Sequence, residues 1–353
     1  MSERIPVAVV GATGYVGGEL LRLLAAHPRF VLDSAVSTTS AGGLLAATFP
    51  TLAAAFPDSR FISPDDALAR LAALERLALF SAAPHGASAA LVARFIDAAE
   101  QHEVELHVVD VSADFRYHSA TAWSAVYGQP HGAPDLLDRF QQGLPEHVAE
   151  TTRAHVGHPG CFATAALLAA VPLCRAQPGL DSLFVSGITG STGSGRSAQP
   201  GTHHPERHAN LYAYKPLAHR HAPEIESGVS AAGGNVVTIN FVPHSGPFAR
   251  GIHVTLAATL PQPMTTAALR ALYAEYYAGA DFVRVVDGTP RLKDVVTSNY
   301  AHVGVAAHAN QVVVFCVIDN LVKGAAGGAM QWMNRLWSLP EATGLNAPAP
   351  AWT

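Results

Sequence analysis

The feature that most constrains this chain lies at its start. From Ile5 to Pro28 it reads IPVAVVGATGYVGGELLRLLAAHP. This is a β-rich apolar run, a turn carrying Gly11, Gly14 and Gly17, and a helix with apolar residues at Val16, Leu20, Leu23 and Leu24. A strand passing into a helix through glycine opens a βαβ unit, and FVLDSAVST (30–38) supplies the second strand. The stretch 75–115 repeats strand, turn, helix, strand. Such alternation builds a mostly parallel sheet with helices on both faces, which takes ligands beyond the carboxyl ends of its strands.

The G-x-x-G-x-x-G spacing is one step from the dinucleotide fingerprint and meets the same demands. It makes a tight turn, lets the backbone approach a pyrophosphate closely, and ends on a helix N-terminus whose free N–H groups attract anions. Gly11, Thr13, Gly14, Tyr15, Val16 and Gly17 are therefore the candidate cofactor-binding residues, with a plain structural turn as the alternative. An NAD-preferring site carries Asp or Glu at the end of its second strand. Here that region reads AVSTTS, with Ser37 and Thr38 at the strand end and Asp33 earlier, within the strand. Hydroxyls accept a 2′-phosphate that a carboxylate repels, so the expected cofactor is NADP.

From Tyr117 to Ala154 the pattern weakens into a stretch rich in Pro, Gly and His, and the domain boundary is placed near its end. The expected domains are 1–156, dinucleotide-binding, 157–324, catalytic, and 325–353, a C-terminal helix and tail. Further strand candidates are 180–190, 235–244, 251–260 and 311–320, with helices over 265–279 and 323–339. The strands from Asn235 onward are long and close together, which suits a mixed or antiparallel sheet. The last residues, 340–353, read as a loose tail.

Bulk properties exclude several classes. Hydrophobic residues at 49% supply a core, and a net charge of −5 argues against nucleic-acid binding. No stretch of bilayer-spanning length escapes interruption, and Ile5–Val10 reads as an internal strand rather than a secretory segment. Cys161, Cys174 and Cys316 are too scattered for a disulfide framework or a Cys-rich zinc site. A soluble cytoplasmic protein is the expectation.

One thiol stands apart. In GHPGCFATAALLAAVPL (157–173), Cys161 follows a Pro-Gly turn and heads a long apolar helix. A helix N-terminus favours a thiolate, which makes Cys161 a candidate nucleophile. Cys174 and Cys316 lie in apolar patterns and read as core. A thiolate beside a nicotinamide suggests attack on an activated acyl group, with hydride transfer at the resulting carbon.

At this point the chain resembles the N-acetyl-γ-glutamyl-phosphate reductase family, related to aspartate-semialdehyde dehydrogenase. The matching stretches run in order along nearly the whole chain: GATGYVGGELLRLL, DVSADFR, GLPE, HPGCFAT, SGITGSTGSGR, HRHAPEIE, FVPHSGPFARGI and DNLVKGAAGGAMQWMN. The resemblance implies an α/β protein: a Rossmann-type NADP-binding domain, an α+β catalytic domain, and a C-terminal helix returning to the first domain. It implies a homo-oligomer, dimer or tetramer, and an NADPH-dependent reduction of a small-molecule acyl phosphate in arginine biosynthesis, through a thioester on Cys161. Two departures stand out. His158 replaces an Asn found in many members, and the loop from Ser186 to Arg196 carries extra residues.

The remaining roles follow from that resemblance and from side-chain chemistry. A histidine of HRH, His219 in preference to His221, is expected to shuttle the proton. In a strand these two would share a face. Arg116 is matched to a phosphate-proximal position, Arg250 is a candidate for the substrate carboxylate, and a surface ion pair is the alternative for each. Glu224 is a candidate to orient an imidazole or a substrate amide, Ser186 to lie at the substrate, and Asn320 and Lys323 to reach the nicotinamide end. No metal is expected, because His204 and His208 lack a third partner at ligand spacing. The alternatives in function are a sister reductase of aspartyl or aminoadipyl phosphate, and a non-catalytic NADP-binding sensor.

Overall fold

Apolar runs without alternation belong to strands covered on both faces, and the first sheet is made of them. The computed structural model describes residues 4–234 and 236–351. In it β1 (Ile5–Val10), β2 (Phe30–Val36), β3 (Phe61–Ile62), β4 (Arg76–Ser81), β5 (Glu105–Asp110), β6 (Phe140–Gln142) and β7 (His155–Gly157) form one sheet in the order β3-β2-β1-β4-β5-β7-β6. Every pairing in it is parallel. The connecting helices include α1 (Tyr15–Ala25), α2 (Leu45–Thr48), α3 (Pro64–Leu71), α4 (Ser88–Gln101) and α5 (Ala120–Tyr127). The strand order reverses between β1 and β4, the point at which a doubly wound sheet opens a crevice.

The described residues up to Gln142, with Glu150–His158 and Ala326–Asn346, form one compact unit; Gly143–Ala149, Pro159–Ala325 and the described residues from Ala347 form a second. The second unit begins with α6 (Cys161–Ala176) and contains α7 (His204–Arg207), α8 (His221–Gly233) and α9 (Thr266–Tyr276). Its strands are β8 (Ser182–Thr189), β9 (Tyr212–Ala213), β10 (Thr238–Ser245), β11 (Ile252–Thr259), β12 (Val283–Val285), β13 (Ala301–His308) and β14 (Gln311–Ile318). They pair in the order β12-β13-β14-β11-β8-β10-β9. β8–β10 and β12–β13 are parallel and the rest antiparallel, so the sheet is mixed, as expected.

The helix α6 is buried all round from Phe162 to Cys174, which makes it the core of its unit. It packs on β11, β14 and α8. Pro172 lies inside it and offers no N–H to the Leu168 carbonyl one turn back. The Tyr277 hydroxyl donates to that carbonyl instead (2.8 Å), and the Tyr273 hydroxyl donates to the Ala169 carbonyl. A proline that would otherwise orphan a buried acceptor is thus compensated from α9.

Two readings of the sequence need correction, and one strand was not expected from it. His219 and His221 do not share a strand: His221 is the first residue of α8, and Pro223 fits its first turn, where no N–H is required. The segment 301–308, small and histidine-flanked, forms the long strand β13. Residues 340–346 are not loose. They pack on α10 (Gly327–Leu336), where Glu341 accepts from Gln331 (2.8 Å) and Arg335 Nε (2.8 Å) and Leu345 is buried. His27 joins this segment to the α1–β2 turn, with Nε2 at 3.1 Å from both Asn334 Oδ1 and the Thr343 carbonyl. Asn235, with which an expected strand opens, and Trp352 and Thr353 of the tail lie outside the described residues.

Burial sets how stability depends on pH. It lowers His147 to about 4, His155 to about 3 and His219 to about 4. Each ring stays neutral in the fold and takes a proton on unfolding below the usual value near 6.5, so their contribution is complete above that pH and is lost as pH falls. Burial raises Asp110 to about 6, which acts in the opposite sense between pH 4 and 6, but it is one group against three. Melting temperature should be flat from pH 8 to 7 and fall from pH 6.5 to 5. His155→Phe should flatten that fall, and a slope unchanged in the variant would contradict the assignment.

Candidate active site

Gly160 is the N-cap of α6 and has no side chain to satisfy the helix head. The acceptor comes from another element. Glu224, in the first turn of α8 and buried, takes the Gly160 N–H on Oε1 at 2.6 Å. This fixes the residue immediately before Cys161, the first residue of the helix. Cys161 is partly exposed, whereas Cys174 and Cys316 are fully buried. Burial pushes the Cys174 thiol up to about 11 and Cys316 higher still, so both remain protonated. Gly324 closes on the other side: a Cβ there would lie 2.8 Å from Cys161 Cβ and 3.1 Å from its Cα. Gly324 belongs to a π-turn, Val322–Ala326, of the kind that often marks functional sites.

Cys161 opens into a cavity of about 400 Å³ that is also lined by Tyr214, Lys215, His219, Arg220 and His221. Burial, then the charges of Arg220 and Lys215, lower His219 to about 4, so its ring is neutral at physiological pH. His219 Nδ1 accepts the His221 backbone N–H at 3.2 Å, which puts the proton of the neutral ring on Nε2. His219 therefore presents a donor. His221 has Nε2 at 4.0 Å from Glu224 Oε2, so one carboxylate addresses both the helix head and an imidazole. Burial, then proximity to Cys161, pushes the Tyr214 hydroxyl well up and keeps it a neutral donor.

Of the residues singled out from the sequence, Cys161, His219 and His221 share this cavity, and Glu224 stands behind it. Ser186 does not. Strand alternation turns buried Val185 and Gly187 toward α6 and Phe162, and Ser186 to the opposite face. Arg250 pairs bidentately with buried Asp319 (Nε–Oδ2 3.0 Å, Nη2–Oδ1 3.1 Å), so its planar donors serve the fold. Asn320 accepts the Gly251 N–H (2.7 Å) and donates to Thr192 Oγ1 (3.0 Å), bracing two loops. Lys323 is buried with Nζ 2.5 Å from Glu146 Oε1. In the first unit, Arg116 gives Nε to the His158 carbonyl (2.9 Å) and Nη2 to that of Val111 (2.8 Å). Tyr214, Lys215 and Arg220 were not singled out from the sequence; the signal available was AYK just ahead of HRH.

The first unit's glycine turn fits a dinucleotide. Gly11 has φ +71°, and a Cβ there would meet the Ala82 carbonyl oxygen at 2.4 Å, beside the end of β4. A Cβ on Gly17 would meet Ala12 Cα at 2.6 Å. Gly14 caps α1 with no side chain over the open N–H groups; Thr13 lies in the turn, and Tyr15 and Val16 begin the helix. Ser37 is buried and accepts the Thr39 and Ser40 N–H groups (3.3 and 3.1 Å), while Thr38 is exposed. Asp33 lies within β2, so no carboxylate ends that strand. Among the described residues, no group of three or more His, Cys, Asp or Glu is arranged to hold a metal, and no helix is long and apolar enough to cross a membrane.

Comparisons with known proteins agree with this geometry. Residues 6–152 match the family described as semialdehyde dehydrogenase, NAD binding domain, and residues 161–320 match semialdehyde dehydrogenase, dimerisation domain. An N-acetyl-gamma-glutamyl-phosphate reductase of Pseudomonas aeruginosa (strain UCBPP-PA14) is 40% identical over 354 residues, covering 98% of this chain and 99% of its own. One from Symbiobacterium thermophilum is 40% identical over 360 residues, covering 99% of each. Among solved structures, aspartate semialdehyde dehydrogenase II of Vibrio cholerae, complexed with ASA, shares the fold at TM-score 0.69 and 17% identity, over 96% of this chain and 99% of that one. Aspartate semialdehyde dehydrogenase with NADP from Candida albicans does so at 0.63 and 14%, over 95% and 99%.

The contact between Gly324 and Cys161 leads to a test. Gly324→Ala places a methyl against the Cys161 Cβ and should cost about 1–3 kcal/mol of stability. It should also slow iodoacetamide labelling of Cys161, read by peptide mapping. Cys174 and Cys316 should stay unlabelled in both proteins, and an unchanged Cys161 rate would refute the contact.

Proposed function

The chain belongs to the N-acetyl-gamma-glutamyl-phosphate reductase family of semialdehyde dehydrogenases, and from that premise we propose that it converts N-acetyl-γ-glutamyl phosphate and NADPH to N-acetylglutamate semialdehyde, NADP and inorganic phosphate. This is a step of arginine biosynthesis. The observation that carries the reading is the partly exposed thiol at the head of a buried helix, facing a cavity with two imidazoles and two cations.

His221, beside the Glu224 carboxylate, takes the Cys161 thiol proton in place of His219, the imidazole preferred from the sequence, whose Nδ1 is occupied by the His221 N–H. The thiolate attacks the acyl carbon, the bond from that carbon to the phosphate oxygen breaks, and phosphate leaves a thioester on Cys161. The N–H groups at the head of α6 and the His219 Nε2–H donate to the oxygen that gains charge. When bound, NADPH would supply the hydride that reduces the thioester carbon; Gly11, Thr13, Gly14, Tyr15, Val16 and Gly17 would hold its pyrophosphate, and Thr38 would meet its 2′-phosphate. Protonated His221 gives its proton to the oxygen of the thiohemiacetal and takes it back as the carbon–sulfur bond breaks. The aldehyde and the Cys161 thiolate are released.

The enzyme acts as a homo-oligomer. That reading is supported by its match to a family described as a dimerisation domain and by Phe184, about half exposed at 49%, on the face of the second sheet away from α6. Three free thiols suit a reducing cytoplasm.

Incubated with NADP, inorganic phosphate and N-acetylglutamate semialdehyde, the protein should generate reduced cofactor at a rate that requires phosphate. Cys161→Ser should lower that rate by at least about 10³-fold while leaving NADPH binding intact. Comparable turnover of aspartate semialdehyde would move the proposal to the sister activity. Turnover without phosphate, or undiminished in the variant, would overturn it.

A further inference from the structure

Under the proposed reading the substrate carries two anionic ends, a phosphoryl group and an α-carboxylate, and the site must supply cations for them. The two arginines singled out from the sequence have internal partners: Arg250 pairs with Asp319, and Arg116 donates to backbone carbonyls. The cavity at Cys161 has its own cations, Lys215 and Arg220, and among its described lining residues there is no carboxylate.

Lys215 is held there against local preference. It has φ +45°, and Leu217, across Pro216, has φ +58°. Side chains rarely adopt that region, and a residue before proline is normally extended. The turn persists because it is tied down. Tyr214 N donates to the Pro243 carbonyl (3.0 Å), Leu217 N to that of Phe241 (2.9 Å), and Ala218 N to that of Lys215 (3.1 Å). The first two bonds fasten the turn to β10. Backbone strain of this kind, kept in place by surrounding structure, clusters at active sites and ligand clamps.

The Lys215 side chain is otherwise uncommitted. It is exposed at the cavity, and among the described residues its ammonium makes no hydrogen bond or ion pair. Its charge nevertheless reaches the catalytic groups, being one of the two that hold His219 down. A compact ammonium on a flexible stem suits an oxyanion without demanding the planar geometry of arginine.

We propose that Lys215 is a substrate-binding residue whose strained turn aims its ammonium at an oxyanion end of the acyl phosphate, next to Cys161. This rests on the reductase reading, but it is tested without turnover. Occupancy of the cavity is read as protection of Cys161 from iodoacetamide, by inorganic phosphate in one arm and by N-acetylglutamine, whose only anionic group is the α-carboxylate, in the other. In the wild type at least one anion should protect. Lys215→Met and Lys215→Gly should each raise the half-protecting concentration of that anion about tenfold or more, and Lys215→Arg should largely preserve it. Glycine suits the left-handed backbone, so Lys215→Gly removes the cation without disturbing the turn. Loss in the phosphate arm assigns Lys215 to the phosphoryl end, and loss in the other arm to the carboxylate. The proposal is overturned if neither anion protects the wild type, if Met and Gly variants are protected like wild type, or if Arg loses as much as Met. The reductase reading stands or falls separately, on the phosphate-dependent turnover of the wild type.

Discussion

A hydrogen bond from the Gly160 N–H to the buried Glu224 carboxylate organises the second unit's chemistry. The helix α6 needs an acceptor at its head, and its own N-cap, a glycine, supplies none. Drawing that acceptor from α8 fixes two helices against each other where the Cys161 thiol emerges. It also brings His221, the first residue of α8, toward the same carboxylate. A charge buried in this way would be costly alone. Here a backbone donor and a neighbouring imidazole offset that cost, and the Cys161 helix head and His221 both depend on one side chain.

The rest of the unit keeps that geometry rigid. An apolar helix running through the middle of a domain cannot shift without disturbing the sheet on one side and α8 on the other. The tyrosines of α9 satisfy the carbonyls beside Pro172, so the helix stays continuous through a residue that would normally break it. At the other end, the π-turn brings Gly324 against Cys161, and Asp319 accepts from Leu321 and Val322 N–H groups (2.8 and 2.9 Å) to hold that turn. Arg250 then serves Asp319. Arg250 and Asp319 thus brace the turn that carries Gly324.

Local signals made part of this visible in the sequence. The glycine turn, the alternation of the first sheet and a Pro-Gly-Cys helix head are all set within a few residues, and each lies where the pattern puts it. Partners distant in the chain were not visible. The fate of Arg250 depends on Asp319, 69 residues on, and that of Arg116 on the His158 carbonyl, 42 residues on. Ser186, read as the start of a loop at the substrate, lies inside β8, where alternation sets it on the face away from α6. β13 escaped notice because its run of Ala, Gly and Val is short of strong β-formers. Lys215 escaped because its left-handed backbone has no composition signature at a non-glycine residue.

In the proposed reaction the acyl group passes through Cys161. The direct measurement is mass spectrometry of the protein mixed with N-acetyl-γ-glutamyl phosphate in the absence of reduced cofactor and quenched in acid. The account predicts one N-acetylglutamyl group per chain, mapped to the peptide containing Cys161, with an equal amount of phosphate released. Phosphate release without an adduct, or an adduct on any other residue in a protein that turns over normally, would contradict it.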